Sequence, residues 1–413
     1  MLSTTTLRAQ QLLLARRSLV AATTAPTSAL HRHLAPSVLR SLSTSRPAFA
    51  IQEPLRSSSS SSADAPASEA KEPTRSFQPH FKDAAPPLPT TPEQVQQWRS
   101  SRPHENWVMD HPVYKPDDLV VDVVHLEPKT FSDKLTYGMV RFARWGFDFV
   151  SGYKHASPEA AMEAAKKNGK GNLTVPELVK EGYLMSEKAW MARILYLESI
   201  AGVPGFTAAI LRHLRSLRLM KRDGGWVNTL LQEAENERMH LLTFMKIRDP
   251  SAFFRLLVLA TQGVFFNLFF VSYMLSPQAA HRFVGYLEEE ACKTYTHIIG
   301  AIERGEIPEW DPKNPNSKKV PQVAKDYWRL PDDATMLDLV KAVRADEAGH
   351  RFTNHTLANL KREDFNPVAL MHASPATQGT TTGFTREQSL EFAKKVQEEM
   401  TGRKPKVGDE KEL

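Results

Sequence analysis

Two Glu-x-x-His pairs constrain this chain more than any other feature: Glu237 with His240 in AENERMH, and Glu347 with His350 in ADEAGH. On a helix, positions i and i+3 share a face, so each pair offers a carboxylate and an imidazole to one point. One such pair is weak evidence, since roughly one is expected by chance at this Glu and His content. Two pairs on two helical segments become a ligand set if two further helices each contribute one Glu. The fold that permits this is a bundle of four helices with acidic faces turned inward.

The chain between about 130 and 362 has the pattern for such a bundle. It shows almost no strand signal and six long apolar-periodic stretches: Asp133–Tyr153, Ser186–Met220, Trp226–Ile247, Ala252–Leu275, Gln278–Arg304 and Thr335–Leu360. Gly224-Gly225, Asp249-Pro250 and Ser276-Pro277 punctuate them. Gly and Pro end helices for backbone reasons, and short breaks favour antiparallel neighbours. The segment 305–334, with five prolines, reads as a longer connection. The expected class is all-α.

The second stretch carries Glu198 inside ILYLESIAGVPGF, where an unpaired acid would be expensive to bury. The fifth carries Glu288, Glu289 and Glu290. His281, Glu288, Cys292 and Tyr295 share one helical face, which nominates Glu288. The candidate set is Glu198, Glu237, His240, Glu288, Glu347 and His350, the donor pattern of a di-iron carboxylate site in a ferritin-like four-helix bundle. Asn236 and Asp346, beside the ligand positions, are candidates to hydrogen-bond the histidines.

The strings LESIAGVPGF (197–206), LRHLRSLR (211–218), QEAENERMHL (232–241), GYLEEEACKTYT (285–296) and RADEAGHRF (344–352) resemble the mitochondrial alternative oxidases, cyanide-insensitive ubiquinol oxidases, in a fungal or protist form. The likeness spans about residues 105–362. It implies two iron ions on the same six ligands and a redox-active Tyr295. It also implies a quinol pocket of Arg144, Arg193, Leu197, Leu287, Glu290, Ala291 and Thr294, and a homodimer interface including His213, Leu217 and Arg218. Plant members carry an N-terminal cysteine that forms an intersubunit disulfide; this chain has only Cys292. A single cysteine also excludes an intrachain disulfide and a Cys-type zinc site.

The first fifty-two residues hold Arg8, Arg16, Arg17, Arg32, Arg40 and Arg46 and no acid, the makeup of a mitochondrial transit peptide over about 1–50. The Ser run and Pro/Ala/Lys/Glu stretch of 51–104 reads as a flexible linker, and 363–413 as a polar tail with one short helix near Arg386–Met400. The net charge of +6 comes partly from the transit peptide and does not indicate nucleic acid.

Leu256–Leu275 is long and apolar enough to span a bilayer. It lies between Glu237/His240 and Glu288, so one crossing there would put ligands of a single site on opposite sides. The expectation is therefore a monotopic protein. Its first and fourth long helices lie in the matrix-facing leaflet of the inner membrane, among inner-membrane lipid, with Trp145, Phe147 and Phe149 at the interface. The basic run Arg212, His213, Arg215, Arg218, Lys221 and Arg222 reads equally as lipid contact, subunit interface or solvated helix end.

The function expected is oxidation of ubiquinol and reduction of O2 to water without proton pumping, no chain of intramembrane carboxylates being visible. The rivals are another quinone-related di-iron enzyme (a plastid-type terminal oxidase or ubiquinone-pathway hydroxylase), a ferritin-like iron-binding protein, or a metal-free helical membrane protein.

Overall fold

A computed structural model describes residues 111–401, apart from 152, 154, 155 and 370. The expectations for residues 1–50 and 51–104 lie outside the described residues. Those described are helical or irregular, with no strand among them. In chain order the helices are α1 (Phe131–Ser151), α2 (Pro158–Lys167), α3 (Val175–Lys180), α4 (Glu187–Leu219), α5 (Trp226–Ile247), α6 (Ala252–Leu275), α7 (Pro277–Glu303), α8 (Gln322–Trp328), α9 (Met336–Asn359), α10 (Pro375–Thr380) and α11 (Arg386–Thr401).

The six long helices match the sequence periodicity to within two residues at each end, because their starts are written as caps. Ser186, Ser251 and Ser276 each accept a backbone N–H three residues on, at the starts of α4, α6 and α7. Thr335 and Asp338 form a reciprocal capping box at α9. Pro277 sits at the first turn of α7, where its missing N–H is harmless.

α4, α5, α7 and α9 make the bundle. Extensive packing joins α4 to α5 and α7 to α9, and glycines set the closeness of both pairs. A Cβ at Gly205 would stand 2.8 Å from the Leu230 carbonyl oxygen of α5, and one at Gly285 would stand 2.6 Å from the His355 ring of α9. Below the acidic middle lies an apolar core that includes Met191, Ile194, Phe244, Ile298, Trp310, Trp328 and Val343. Side chains of this kind contribute roughly 1.5–3 kcal/mol each on full burial, which offsets the cost of placing carboxylates among them.

α1 and α6 lie outside the bundle with apolar faces uncovered. Only Phe269 and Tyr273 of α6 are buried, while Phe253, Leu256, Leu259, Val264 and Leu268 are exposed. On α1 the exposed set includes Phe131, Phe142, Trp145 and Phe149. α4 and α6 are both long and apolar enough to cross a membrane, but α4 is half buried inside the protein. Gln262 of α6 donates to the Ser199 carbonyl oxygen of α4 (2.5 Å), whereas Asn267 donates to its own helix at the Gly263 oxygen.

Three features depart from the periodicity. α2 and α3 occupy the stretch between the first two long helices and share a small apolar core of Ala161, Ala165, Leu178 and Leu184. α8 lies within the proline-rich connection and buries Tyr327 and Trp328. Among the described residues after 362, part of the expected polar tail packs on the bundle: Val368, Ala373 and Phe384 cluster with Phe352 of α9. Arg351, fully buried, explains this closure. Its guanidinium donates to the carbonyl oxygens of Gln378, Gly379 and Thr381, and also to Asp122 of the arm that precedes α1. One cation so ties both flanking segments to α9.

Candidate metal centre

Halfway along the bundle, Glu198 (α4), Glu237 and His240 (α5), Glu288 (α7) and Glu347 and His350 (α9) converge, all buried. They form two overlapping groups. In Glu198, Glu237, His240 and Glu347, and again in Glu237, Glu288, Glu347 and His350, one donor atom per residue lies within 4.8 Å of all the others. Glu237 and Glu347 belong to both groups. The other four residues divide into one Glu and one His per group.

The donor atoms face one another with their lone pairs unused. His240 Nδ1 is 3.3 Å from Glu198 Oε2, 3.6 Å from Glu237 Oε2 and 3.4 Å from Glu347 Oε1, and His350 Nδ1 is 2.6 Å from Glu237 Oε1. Despite these approaches, Glu198 Oε2, both Glu237 oxygens and both Nδ1 atoms are buried and make no directed hydrogen bond. Buried polar atoms are normally satisfied, so a cluster of unpartnered donors aimed at common points is the arrangement expected of metal ligands. Oxygen and imidazole donors suit a first-row divalent metal, and four carboxylates balance two 2+ charges.

The electrostatics agree. Burial pushes Glu288 up to about 8, aided by the Glu237 charge, and lifts Glu347 well above the carboxylate range with help from Glu237, Glu288 and Glu198. Glu237 moves the other way: burial would raise it, but the His350 charge and the closeness of both imidazoles bring it far down. Four acids in one dry space do not all ionise unaided, and a cationic occupant would favour their charged forms.

His240 is oriented from behind. Its Nε2 donates to Asp346 Oδ2 at 3.0 Å, which leaves Nδ1 as the lone pair facing the acids. The same oxygen accepts from Asn236 Nδ2 (3.1 Å) and Trp328 Nε1 (2.8 Å). Asn236 and Asp346 were expected to hydrogen-bond the histidines; Asp346 does so, to His240, whereas Asn236 bonds Asp346 and the Tyr327 hydroxyl instead. Trp328 could not be foreseen, because it arrives on α8.

Tyr295 is buried one side of the cluster, and its hydroxyl donates to Glu198 Oε1. Burial, then the Glu198 charge, holds its phenol well above the usual range. The Arg144, Arg193 and Glu290 side chains come together on α1, α4 and α7. Arg144 pairs with Glu290 and, through Nε, with Asp148 Oδ2 at 2.9 Å; Arg193 Nη2 lies 2.6 Å from Asp148 Oδ1. Asp148 was missed although it stands one turn from Arg144, an i,i+4 signal. Arg193 also stacks over the Tyr153 ring, 4.0 Å from its centroid. Leu197, Leu287 and Ala291 are half-buried on the same stretches of α4 and α7, and Thr294 is buried with its hydroxyl bonded to the Glu290 carbonyl oxygen at 2.8 Å.

The basic run at the end of α4 is not one uniform surface. Arg212 is buried, donates to Asp223 Oδ1 (2.9 Å) and the Arg362 carbonyl oxygen (3.0 Å), and covers the Trp226 ring. Leu214 and Leu217 of the same helix are exposed.

The profile of the family described as Alternative oxidase matches residues 115–359. The protein named "Alternative oxidase, mitochondrial" in Cryptococcus neoformans var. grubii is 52% identical over 296 residues, which is 71% of this chain and 71% of that protein. The protein of the same name in Emericella nidulans is 48% identical over 289 residues, 67% of this chain and 75% of its own length. The one in Botryotinia fuckeliana is 51% identical over 262 residues, 62% and 69% respectively.

Proposed function

Because this chain belongs to the alternative oxidase family, we propose that it oxidises ubiquinol and reduces O2 to water at a non-haem di-iron centre. The observation that carries the reading is the pair of overlapping donor groups, whose shared Glu237 and Glu347 leave room for two cations rather than one. Glu198 and His240 would hold one iron with the bridging pair, and Glu288 and His350 the other. When bound, two irons supply the electron capacity and open coordination positions that O2 reduction needs. Complete reduction takes four electrons and four protons, the yield of two quinols.

The protein's own residues handle substrate and protons. The Arg144–Asp148–Arg193–Glu290 group, beside Leu197, Leu287, Ala291 and Thr294, receives the quinol headgroup. Arg193 is the orienting donor and Glu290 a proton acceptor at its carboxylate. This polar quartet lies where α1 meets α7, next to the uncovered apolar face of α1, so a lipid-soluble substrate reaches it from the bilayer. Tyr295, bonded to Glu198, passes an electron and a proton between the substrate side and the cluster.

We further read the protein as monotopic in the matrix-facing leaflet of the mitochondrial inner membrane. The uncovered apolar faces of α1 and α6 support this, together with the relatives' mitochondrial names. The exposed stripe Phe206, Ile210, Leu214 and Leu217 on α4 supports a homodimer. No proton pumping accompanies turnover. The test is oxygen uptake by the purified, iron-loaded protein given ubiquinol in the presence of cyanide. Uptake that is abolished by Glu237→Ala and by His350→Ala is the expected result. Full-rate uptake in either variant would sink the site assignment.

A further inference from the structure

The arm that precedes α1 reaches the metal centre, and does so before residue 115, where the match to the family profile begins. His111 is buried against the rings of Tyr327 and Trp328, with centroids 4.8 Å and 5.9 Å away. Its Nε2 lies 2.7 Å from Asp346 Oδ1, and the Tyr114 hydroxyl donates to the same oxygen at 2.5 Å. The two oxygens of Asp346 are therefore served by different parts of the chain. Oδ2 takes its donors from the bundle and α8, among them the ligand His240, whereas both side-chain donors to Oδ1 come from the arm.

A carboxylate held at one oxygen only can still turn about its side-chain axis, and the imidazole bonded to it turns as well. Holding Oδ1 removes that freedom. His111 is itself fixed. Its Nδ1 faces the Pro112 carbonyl oxygen at 2.6 Å, and Arg329 Nη1 donates to the His111 carbonyl oxygen at 2.8 Å. Further along, Arg344 and Arg351 donate to the carbonyl oxygens of Leu119 and Asp122, so the arm is pinned at three points. Cation donors on carbonyls of an irregular segment are an expensive arrangement unless the segment's position matters.

We propose that His111 is a positioning residue for the metal centre: with Tyr114 it locks the Asp346 carboxylate that orients the ligand His240. The inference rests on the di-iron reading above but concerns residues that reading does not use. It makes the affinity of the centre depend on a segment outside the four-helix bundle.

The experiment compares the full chain with His111→Phe, which keeps the ring packing and loses the donor, and with His111→Gln, whose amide nitrogen can reach the Nε2 position. Three quantities are read: Fe(II) affinity by titration of the metal-free protein, the electron paramagnetic resonance signature of the half-reduced centre, and the melting temperature of the metal-free protein. Partners behind a metal ligand are typically worth 10–100-fold in metal affinity. His111 acts through one more bond, so His111→Phe is expected to weaken Fe(II) binding about tenfold and to alter the resonance line shape. His111→Gln should restore both. A merely structural role would lower the melting temperature and leave the line shape alone. Tyr114→Phe, which deletes only a hydroxyl, should move affinity and line shape in the same direction and keeps the test decisive if the change at 111 disrupts the arm. Equal affinity and line shape in parent, His111→Phe and Tyr114→Phe overturns this inference alone. A parent that takes up no iron overturns the metal reading and this inference with it.

Discussion

The phenol of Tyr295 on α7 donates its hydrogen bond to the Glu198 carboxylate on α4, so this buried tyrosine is tied to a candidate metal ligand on another helix. Replacement by Phe keeps the ring, which stacks near Phe244, and removes only this bond. Tyr295→Phe is expected to retain iron and fold while kcat for quinol oxidation falls about a hundredfold, the low end for a lost proton-transfer group. Metal content and oxygen uptake on the same preparation check it; unchanged turnover removes Tyr295 from the mechanism.

Arg193 is buried between Asp148 and the rings of Phe147 and Tyr153. If it orients quinol, Arg193→Gln should raise KM for ubiquinol at least about tenfold, since one hydrogen bond to a charged donor is worth roughly 1.5–3 kcal/mol. Iron content should not change. A variant with parental KM assigns Arg193 to holding α1 on α4 instead.

The close crossing of α7 and α9 depends on Gly285 lacking a side chain. A Cβ there would meet three atoms of the His355 ring at 2.6–2.8 Å, and that ring is held by Arg282 and Glu289. Gly285→Ala should destabilise the fold by about 2 kcal/mol, the usual scale of overpacking, seen as a fall of several degrees in melting temperature. Gly138→Ala, where nothing lies within 4 Å, is the control.

His281 is buried with the Tyr273 hydroxyl 3.1 Å from Nε2 and Asn354 Oδ1 3.0 Å from Nδ1, a pattern that holds it neutral. Burial pushes it down to about 4, only partly opposed by the Asn354 bond. A histidine depressed in the folded state binds its proton later than in the unfolded chain, whose value is near 6.5. Stability is therefore full above about 6.5 and declines as pH falls toward 4. By pH 5 the loss from this one group is about 2 kcal/mol. Urea midpoints at pH 7 and pH 5 measure it, and His281→Gln should flatten the difference by that amount.

The uncovered face of α6 should bind lipid. Leu256 and Leu268 are more than half exposed, and changing both to Asp should weaken partition into vesicles by at least about 3 kcal/mol, the worth of two buried leucines. Flotation with inner-membrane lipid mixtures reads this, while iron content stays parental. Retained flotation would move the membrane contact to another surface.

How much of this was written in the chain can be judged from particular residues. The six long helices follow from apolar spacing and from Ser, Thr, Gly and Pro at their ends, all local signals. The six ligands follow from helical spacing too, because Glu-x-x-His on two helices and one interior Glu on each of two others admit few arrangements. Residues three or four apart on one helix have a relationship the backbone settles before any packing. His111 and Trp328 have no such relationship to Asp346, nor has Asp148 to Arg193, although its spacing from Arg144 is a local signal. His111 stands 235 positions from Asp346, and Trp328 belongs to a short helix inside a proline-rich connection. The same limit hid the docking of Val368, Ala373 and Phe384 on α9 and the bonds from Arg351 to the carbonyls of Gln378, Gly379 and Thr381. Apolar spacing with its caps thus determined the bundle, and the two Glu-x-x-His pairs with Glu198 and Glu288 the candidate donors of its centre. Only the tertiary structure decided which carboxylates the two donor groups share, that His240 bonds Asp346, and that an arm ahead of the bundle bonds the same carboxylate, because those depend on side chains that meet through space and not along the chain.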